Sequence, residues 1–448
     1  MFESDDMTEE LGLFSKYRPD EPFAWCDAGS VTQQEFLLSV MALAECLPEQ
    51  PYIINLCRDR YHFSLAFCAA LVNGSTSLLP PNRQPQTIVE MASEYQVANC
   101  LIDDSLDVGG LNCIDVRDKQ EGVKATTALA MPVIPGDQIA VIAFTSGSTG
   151  KPAANQKHWR TLVGTSTLLA QRFFCNVEQR LNIVATVPAQ HMYGLEMSVM
   201  VALHGGGVMA SSHPFFPQEV ANSLAQVPEP RCLVTTPVHL RAMIKSGIEM
   251  PPVVTMISAT APLTNDISRQ AEQAFDCEVE EIYGCTEAGS LATRRTSAEE
   301  SWRMLDGIVL SEERGQAFVS APHLPDITRL QDRLEPLDRH SFRFIGRGSD
   351  LVNIAGKRIS LADVTHKLLS INGVEDAVVF MPEESGKHIQ RLAALIVSEL
   401  SNQEISRELV RFLDPVFIPR PLKRVKKLPR NEVGKILMSS AQEIIKIT

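Results

Sequence analysis

Residues 144–153, FTSGSTGKPA, combine side chains and backbone that could hold a phosphate group. The stretch offers hydroxyl groups, two glycines and one lysine, and it follows the apolar run QIAVIA. Hydroxyls donate hydrogen bonds, glycines let backbone N–H groups approach a ligand, and an ammonium neutralises an anion. The sequence therefore predicts a loop that binds a polyphosphate directly after a strand, with an ordinary surface loop as the alternative.

Two common phosphate loops do not fit this stretch. Aligning the Walker pattern G-x-x-x-x-G-K-S/T on Lys151 places Thr145 at the first glycine and Pro152 at the last hydroxyl residue. Proline at that position removes both a Mg²⁺-binding hydroxyl and a backbone N–H. The dinucleotide pattern G-x-G-x-x-G also fails, because Gly147 and Gly150 are the glycines of the stretch. These residues therefore argue against a nucleotide switch and against a dehydrogenase.

The surrounding elements predict an α/β fold. From about residue 35 to 290, short apolar runs rich in Val, Ile and Thr alternate with helical patterns. This rhythm favours mostly parallel sheets flanked by helices, with ligands bound where strands end. After residue 300 the pattern changes to alternating strands, then to a hairpin, a helix and two strands. We expect a large N-terminal domain, 1–349, and a small C-terminal α+β domain, 350–448.

Composition and charge limit the classes of function. The chain of 448 residues is too long for one ordinary core, 44% of it is hydrophobic, and its net charge is −13. This acidity argues against nucleic acid as the main partner. The start, MFESDDMTEELG, lacks the basic-then-apolar order of a secretory signal, and no apolar run reaches the roughly 18 residues that span a bilayer. We expect a cytoplasmic protein without a transmembrane segment.

The loop TSGSTGKP resembles the phosphate loop of the acyl-adenylate-forming enzymes, which include acyl- and aryl-CoA synthetases, luciferases and peptide-synthetase adenylation domains. Further motifs resemble those of the same superfamily and occur in its order along the chain. They are VPAQHMYGLE (187–196), MISATAPL (256–263), YGCTEAG (283–289), RGSD (347–350), NIAGKRISLADV (353–364) and PRNEVGKI (429–436). The resemblance implies the superfamily's fold, a large N-terminal domain followed by a small mobile domain with its hinge at Asp350.

The resemblance also implies which residues contact ATP. Tyr283 would pack on the adenine, and Asp332 would bind the ribose hydroxyls, with Arg347 following 15 residues later. Thr286 would contact the α-phosphate and Glu287 would hold Mg²⁺, so these two residues and Lys435 are the expected catalytic residues. The expected ATP-binding residues are Thr145, Ser146, Gly147, Ser148, Thr149, Gly150, Lys151, Tyr283, Gly284, Asp332 and Arg347.

Other motifs imply the sites for the acid and the thiol. His191 and the segment Ser258, Ala259 and Thr260 would line the acyl pocket. Gly356 would line the tunnel for a phosphopantetheine thiol. The basic run RPLKRVKKLPRNEVGK (420–435) is either a solvated loop or a site for an anionic ligand or partner.

These features together imply an AMP-forming ligase. Such an enzyme activates a small carboxylic acid with ATP and Mg²⁺ to an acyl-AMP, then transfers the acyl group to a phosphopantetheine thiol. The acid would be aryl or a fatty acid of medium chain length, and the acceptor would be coenzyme A or an acyl carrier protein. The compact chain resembles small bacterial ligases that prime a carrier protein.

Three departures from the family pattern leave an alternative open. Ala153 stands where the family usually has a second loop lysine, and Leu330 and Gln331 replace the usual Thr-Gly before Asp332. The segment from Tyr283 to the hinge is also short. The alternative is a non-catalytic or adenylation-only relative that acts as a binding or regulatory protein, and the retention of Glu287 and Lys435 argues against it.

Overall fold

The structure is a computed structural model that describes residues 9–106, 108–119, 130–145, 153–174, 179–347, 351–354, 357–382, 391–431 and 434–446. The chain forms two compact units. The first contains the residues up to Glu299 together with Met304–Ile308 and Ser320–Thr328. The second contains Glu300–Arg303, Val309–Val319 and the residues from Arg329 onward. Each unit has its own hydrophobic core.

The strands are numbered in chain order. Up to Arg295 they are β1 Glu10–Gly12, β2 Pro22–Cys26, β3 Gly29–Thr32, β4 Tyr52–Asn55, β5 Thr76–Leu79, β6 Asn99–Ile102, β7 Asn112–Asp115, β8 Val133–Pro135, β9 Ile139–Thr145, β10 Ala153–His158, β11 Asn182–Ala185, β12 Val208–Ala210, β13 Arg231–Thr235, β14 Thr255–Ser258, β15 Glu278–Cys285 and β16 Gly289–Arg295. The later strands are β17 Trp302–Met304, β18 Val309–Glu313, β19 Gln316–Ser320, β20 Thr328–Arg329, β21 Asp332–Pro336, β22 Ser341–Arg347, β23 Leu351–Ile354, β24 Lys357–Ser360, β25 Val374–Phe380, β26 Ala393–Ser398 and β27 Leu422–Arg424.

Six of the described helices begin at a residue whose side chain accepts a hydrogen bond from the first turn. Thr32, Asp59 and Ser360 are examples, and such caps satisfy N–H groups that have no partner within the helix. The helices are α1 Gln33–Cys46, α2 Arg60–Val72, α3 Pro85–Tyr95, α4 Trp159–Phe173, α5 Met192–Gly194, α6 Val201–His204, α7 Pro217–Gln226, α8 Pro237–Ser246, α9 Asn265–Phe275, α10 Leu361–Leu369, α11 Asn402–Val410 and α12 Met438–Lys446. A π-helical segment, Leu195–Met200, lies between α5 and α6.

The first sheet of the large unit has the order β10-β9-β5-β4-β6-β7. Its strands are parallel except β10, which is antiparallel to β9 at the edge. The inner strand β5 is buried at every residue, as expected for a parallel sheet covered on both faces. Because parallel strands end at the same edge, the end of β9 at Thr145 lies on the edge where the first βα loops emerge.

The second sheet of this unit has the order β16-β15-β14-β13-β11-β12-β2-β3. Strands β15, β14, β13, β11, β12 and β2 are parallel, while β16 and β3 are antiparallel to their neighbours. Apolar residues of α7, α8 and α9 pack against the central strands in one cluster that includes Leu224, Leu240 and Ala271. The sheet therefore brings the ends of β11, β13, β14 and β15 to a common edge.

The second unit is built from smaller sheets. Strands β17, β22 and β21 pair antiparallel, β18, β19 and β20 form a three-stranded sheet, and β23 pairs with β24. The sheet β25-β26-β27 packs with α10 and α11 around a core that includes Val364, Ile396 and Leu409. This is the α+β arrangement expected for the C-terminal part of the chain.

The predicted α/β fold is confirmed, since the alternation of apolar runs and helical patterns before residue 290 corresponds to parallel strands and their covering helices. The predicted boundary and hinge at Asp350 stay a prediction, because Asp350 lies outside the described residues. Among the helices that the structure describes, none is long and apolar enough to cross a lipid bilayer.

Buried histidines predict that stability depends on pH. Burial lowers the pKa values of four side chains to about 4 from a usual 6.5, namely His204, His213, His239 and His323. In the unfolded chain these side chains bind protons near pH 6.5, so the unfolded state binds more protons between pH 6.5 and 4. Their contribution to stability is therefore present above pH 6.5 and is lost as the pH falls towards 4.

Urea unfolding at pH 7.5 and pH 5.5 measures this effect. Each buried histidine is expected to lower the free energy of unfolding by about 1 kcal/mol between these two pH values, where most carboxylates do not titrate. His204→Gln, which removes a ring 5.2 Å from that of Trp159, is expected to reduce the difference by the same amount. Equal stability at both pH values would contradict the assignment of neutral buried histidines.

Candidate active site

The hydroxyl-rich loop lies between two antiparallel strands. Strand β9 ends at Thr145, β10 begins at Ala153, and these two residues are paired in register. In P-loop and dinucleotide-binding enzymes such a loop leads into a helix whose N-terminus binds phosphate. The strand that follows here agrees with the exclusion of both classes. The expected phosphate-binding residues that lie outside the described part of the chain are Ser146, Gly147, Ser148, Thr149, Gly150 and Lys151.

The turn between β15 and β16 carries Thr286 and Glu287. Cys285 pairs with Gly289 across the hairpin, so the turn contains three residues. Gly284 has no space for a side chain, because a Cβ there would lie 2.5 Å from the carbonyl oxygen of Gly289. Thr286 is half-buried and Glu287 is exposed. The hairpin thus presents a hydroxyl and a carboxylate side by side at the end of a strand.

The residues of this turn fit a magnesium ion that arrives with a nucleotide. Within the described ranges, no group of three or more His, Cys, Asp or Glu side chains could hold a metal ion by itself. Mg²⁺ is commonly bound by one or two carboxylates together with phosphates of the substrate. The exposed carboxylate of Glu287 supplies one such oxygen ligand, so the remaining ligands would come from the nucleotide and from water.

A buried lysine connects β10 with this turn. Lys157 is 2% exposed, and its Nζ donates a hydrogen bond to the backbone carbonyl oxygen of Glu287. Burial lowers the pKa of Lys157, and the nearby Glu196, Cys285 and Glu287 oppose that shift. The strand that follows the loop and the turn that carries Glu287 are therefore joined by a direct hydrogen bond.

A buried carboxylate contacts the other end of the same turn. Glu196 is 2% exposed, and its Oε2 accepts hydrogen bonds from the N–H of Ser290 at 3.1 Å and from its hydroxyl at 2.6 Å. Gly289 has a φ of +79°, and a Cβ there would lie 2.5 Å from Oε1 of Glu196. Burial raises the pKa of Glu196, while the Ser290 hydroxyl and the charge of Lys157 oppose that shift. Backbone angle and the close carboxylate both require glycine at position 289.

The residues expected to line the acyl pocket lie at element ends. His191 is half-buried and directly precedes α5, whereas Ser258 ends β14 and is fully buried. Ala259 is also buried, and Thr260 is exposed with a φ of +78°. A β-branched residue in this region costs on the order of 1–3 kcal/mol, and such strain clusters at functional sites. The geometry therefore keeps this segment as a candidate, and its contact with an acyl group stays a prediction.

Hydroxyl groups line the edge beside Ser258. Thr235 ends the neighbouring strand β13 in register with Ser258, and its Oγ1 lies 3.1 Å from Oγ1 of Thr186. Oγ1 of Thr236 lies 2.9 Å from Nδ1 of His239. Among the described residues, Oγ of Ser258 and Nε2 of His239 are buried without a hydrogen-bond partner. The ends of three parallel strands thus form a polar edge, which continues with the buried Tyr283 on β15.

Asp332 and Arg347, expected from their separation of 15 residues, lie opposite each other. Strands β21 and β22 form an antiparallel hairpin in which Asp332 is the register partner of Arg347. A β-bulge between Arg333 and Leu334 shifts the register of the strands beyond this pair. The spacing in the sequence therefore corresponds to direct adjacency in the hairpin, and the ribose-binding role of Asp332 stays a prediction.

The loop that carries Lys435 is anchored by a bidentate ion pair. Arg430 donates from Nη2 to Oδ1 of Asp376 at 2.8 Å and from Nε to Oδ2 at 3.1 Å. The N–H of Lys435 donates to Oδ1 of Asn431 at 2.8 Å, and Gly434 has a φ of +76°. These contacts explain the Arg and the Gly of the motif PRNEVGKI. They place Lys435, whose side chain is exposed, directly beside the bridge between Arg430 and Ile436.

Two expected residues of the thiol step lie outside the described residues, namely Asp350 and Gly356. The hairpin around Gly356 is described on both sides, where β23 pairs antiparallel with β24. Ser360 ends this hairpin and caps α10, because its hydroxyl accepts a hydrogen bond from the N–H of Asp363. The predicted hairpin and helix are confirmed, and the hinge and tunnel roles stay predictions.

The basic run 420–435 divides into two groups. Lys423 donates from Nζ to the carbonyl oxygen of Ile444 at 2.9 Å, and Arg430 pairs with Asp376. Arg420, Arg424, Lys426 and Lys427 are exposed. Part of the run therefore stabilises its own unit, and the exposed part can meet an anionic partner.

The motifs of the sequence did not indicate the roles of Lys157 and Glu196. The signal that could have shown Glu196 is a single charge inside an apolar pattern. Glu196 is the acidic residue within the run YGLEMSVMVAL, whereas Lys157 lies in the polar stretch NQKH, which gives no such signal. Isolated charges in apolar surroundings are commonly buried and paired.

The chain was compared with known proteins. The model of the AMP-binding enzyme family matches residues 52–312. The chain is 29% identical over 305 residues to a 4-coumarate–CoA ligase of Halorhodospira halophila, covering 65% of this chain and 73% of the relative. It is 19% identical over 390 residues to a 3,4-dihydroxybenzoate–(aryl-carrier protein) ligase of Bacillus anthracis, covering 83% and 86%.

Solved structures show the same fold. ATP-bound MatB of Rhodopseudomonas palustris superposes with a TM-score of 0.82 at 18% identity, covering 97% of this chain and 98% of the other. The o-succinylbenzoate CoA synthetase of Bacillus subtilis, in complex with its acyl-adenylate, superposes with a TM-score of 0.80 at 18% identity and covers 94% of each chain.

Removing the Arg430–Asp376 ion pair is expected to destabilise the unit that carries Lys435. The two side chains are 18% and 20% exposed, so loss of one partner leaves a mostly buried charge. We expect Arg430→Ala and Asp376→Ala each to lower the free energy of unfolding by about 2 kcal/mol, measured by urea unfolding. The double variant is expected to lose at least about 1 kcal/mol less than the sum of the two.

The matched control is Arg411→Ala. Arg411 forms an ion pair with Glu408 in which the side chains are 67% and 40% exposed. Exposed pairs contribute little, so the control is expected to change stability by less than about 0.5 kcal/mol. Strict additivity of the Arg430 and Asp376 variants would show that the two side chains do not interact in solution.

Proposed function

Because the chain belongs to the AMP-binding enzyme family, as its motifs predict, we propose that it is an ATP-dependent, AMP-forming acid–thiol ligase. It activates a carboxylic acid to an acyl-AMP and transfers the acyl group to a phosphopantetheine thiol. The names of the two relatives described above, a CoA ligase and a carrier-protein ligase, support this class of reaction.

One observation carries the proposal. The hydroxyl-rich loop after β9 and the Thr286–Glu287 turn after β15 belong to different sheets, yet Lys157 joins the strand after the loop to the backbone of the turn. A triphosphate needs hydroxyl and N–H donors for its terminal phosphates and an acidic residue for its metal ion. The hydrogen bond between the strand that follows the loop and the turn that carries Glu287 supports a shared role of loop and turn in binding ATP.

The first step is the attack of a carboxylate oxygen of the acid on the α-phosphorus of ATP. A bond from oxygen to the α-phosphorus forms, the bond to the β-phosphate oxygen breaks, and pyrophosphate leaves. Loop residues between Thr145 and Lys151 hold the departing phosphates, while Thr286 and Lys435 contact the oxygens on which charge develops. A magnesium ion held by Glu287, when bound, lowers the charge of the triphosphate. Tyr283 and Asp332 hold the adenine and the ribose.

The second step is the attack of a thiol on the acyl carbonyl of the acyl-AMP. The thiol sulfur loses its proton to solvent and bonds to the acyl carbon, the bond from that carbon to the AMP oxygen breaks, and AMP leaves as an anion. The hairpin β23–β24, with Gly356 between its strands, and the hinge at Asp350 serve this step. The retention of both Lys435 and this hairpin favours a chain that performs both steps.

The acid is proposed to be aryl or a fatty acid of medium chain length. Named relatives that act on aryl acids support the first choice. The long-chain fatty acid CoA ligase of Bacillus subtilis, 22% identical over 354 residues, supports a fatty acid as such. The pocket residues would be His191, Ser258, Ala259 and Thr260. The hydroxyls of the polar edge beside Ser258 suit an acid with a polar substituent.

The acceptor is proposed to be coenzyme A or an acyl carrier protein, in the cytoplasm. Both bring a phosphopantetheine arm and negative charge, and both are attracted by positive charge near the thiol site. The exposed Arg420, Arg424, Lys426 and Lys427 provide such charge on the unit that carries Lys435. Thioester formation with each acceptor, measured separately for the same acid, decides between them.

Exchange of labelled pyrophosphate into ATP across a panel of acids tests the proposal. We expect exchange that depends on Mg²⁺ and on one chemical class of acid, hydroxyaryl acids or medium-chain fatty acids. Glu287→Gln is expected to raise the KM for Mg·ATP at least about tenfold, because it removes the charge that holds the ion. Absence of exchange across the whole panel would instead support a binding or regulatory protein.

Lys435→Ala separates the two steps. Loss of the ammonium is expected to lower acyl-AMP formation at least about a hundredfold, since charge developing on the phosphate is no longer stabilised. Thioester formation from supplied acyl-AMP is expected to stay within about threefold, because that step does not use this lysine. The control is Lys446→Ala, an exposed lysine of α12 in the same unit that lies outside the basic run. Equal loss in both steps would contradict the assigned role of Lys435.

A further inference from the structure

We propose that Lys157 and Glu196 are positioning residues that hold the Thr286–Glu287 turn in the shape needed to bind Mg·ATP. This inference rests on the proposed function, because it concerns the same nucleotide site. Neither residue is expected to contact substrate. They act by holding the carbonyl group and the N–H group on the two sides of the turn.

The position of Lys157 on β10 makes its burial notable. Ala153, Ala154 and Gln156 on this edge strand are exposed, whereas Lys157 is 2% exposed. Removing an ammonium from water costs several kcal/mol unless hydrogen bonds and opposite charge compensate. The compensation comes from the carbonyl oxygen of Glu287, which accepts a hydrogen bond from Nζ, and from the nearby carboxylate of Glu196.

This hydrogen bond determines what Glu287 can do with its side chain. The bond holds the carbonyl group of Glu287 on the protein side, while the carboxylate of the same residue is exposed. A carbonyl group held in this way restricts the peptide plane between Glu287 and Ala288. The carboxylate is thereby directed to the solvent side, where a nucleotide-bound cation would be met.

Glu196 holds the other end of the turn. Its Oε2 accepts two hydrogen bonds from Ser290, and its Oε1 occupies the space that a side chain at position 289 would need. Gly289 is the partner of Cys285 at the closing pair of the hairpin. The buried Lys157 thus holds residue 287, and the buried Glu196 holds residue 290.

Lys157 therefore does not replace the second loop lysine that the family usually has at the position of Ala153. In this arrangement the buried ammonium donates to protein backbone, so it holds the turn rather than a phosphate. Its role differs from that of a phosphate ligand, because it transmits the position of β10, which follows the loop, to the turn. The loop and the metal-binding turn are coupled through the protein rather than through the nucleotide alone.

The test uses the full-length protein with Lys157→Met, Lys157→Gln and Glu196→Gln. The matched control is Gln156→Met, which places the same new side chain at the exposed neighbouring position of the same strand. Lys157→Gln keeps a hydrogen-bond donor on a side chain of similar length. It replaces Lys157→Met in the test if the methionine variant does not fold. Thermal unfolding of each variant reports whether the fold is retained.

The first readout is hydrogen exchange of peptides covering residues 283–290 in the ligand-free protein. We expect exchange in this segment to accelerate roughly tenfold or more in Lys157→Met and in Glu196→Gln, because a hydrogen bond that holds the turn is lost. The helices α7 and α8, which pack on the same sheet, are expected to exchange at an unchanged rate. This measurement needs no activity, so it tests the inference even if the proposed ligase reaction fails.

The second readout compares the effect of each variant on the KM for Mg·ATP with its effect on the KM for the acid. We expect the KM for Mg·ATP in pyrophosphate exchange to rise roughly ten- to a hundredfold in Lys157→Met, with the KM for the acid within about twofold of the original. Lys157→Gln is expected to lie between the original and Lys157→Met. Gln156→Met is expected to match the original in both measurements.

Two outcomes would overturn the inference. One is a folded Lys157 variant in which hydrogen exchange at 283–290 and the KM for Mg·ATP both equal those of Gln156→Met. The other is a general loss of stability with equal effects on the acid and on Mg·ATP, which would show that Lys157 serves the fold rather than the turn. The original protein could show no pyrophosphate exchange with any acid while hydrogen exchange at 283–290 accelerates in the variants as expected. In that case the proposed function fails and the positioning role stands.

Discussion

Parallel pairing of β11, β13, β14 and β15 is the constraint on which the large unit depends. Strands that run in one direction must end at one edge, and the side chains that follow them emerge together. Thr186, Thr235 and Ser258 form a row of hydroxyls at that edge, and β15 continues it to Tyr283 and the Thr286–Glu287 turn. A hairpin to β16 then reverses the chain, so the turn stands at the same edge as the hydroxyls.

The glycines of this region are consequences of crowding rather than of flexibility. Gly284 faces a carbonyl oxygen at a distance that excludes a Cβ, and Gly289 combines a positive φ with a carboxylate against its Cα. The motif YGCTEAG can thus be explained by the space available around a turn between two buried charges. At Thr260 the opposite is found, because a β-branched residue adopts a positive φ, the conformation for which glycine is usually required.

Much of this arrangement could be predicted from the sequence, because it depends on local patterns. Apolar runs gave the strands, and the order of motifs gave the family. The separation of Asp332 and Arg347 indicated a pair that the β21–β22 register places side by side. Lys157 and Glu196 could not be predicted in the same way. Their burial depends on contacts between residues more than 90 positions apart, and a single lysine in an edge strand reads as a solvent-exposed charge.

The antiparallel pairing of Asp332 with Arg347 has a consequence for how this part of the chain can vary. Two residues that face each other across a hairpin keep that relation when the tip between the strands grows or shrinks, because added residues lengthen the loop and leave the register below it intact. A single insertion within either strand would instead turn the following side chains to the opposite face. A separation of 15 residues between Asp332 and Arg347 is therefore one of several that allow this pairing. Relatives with longer tips between Pro336 and Ser341 can keep the same facing pair at a different separation along the chain.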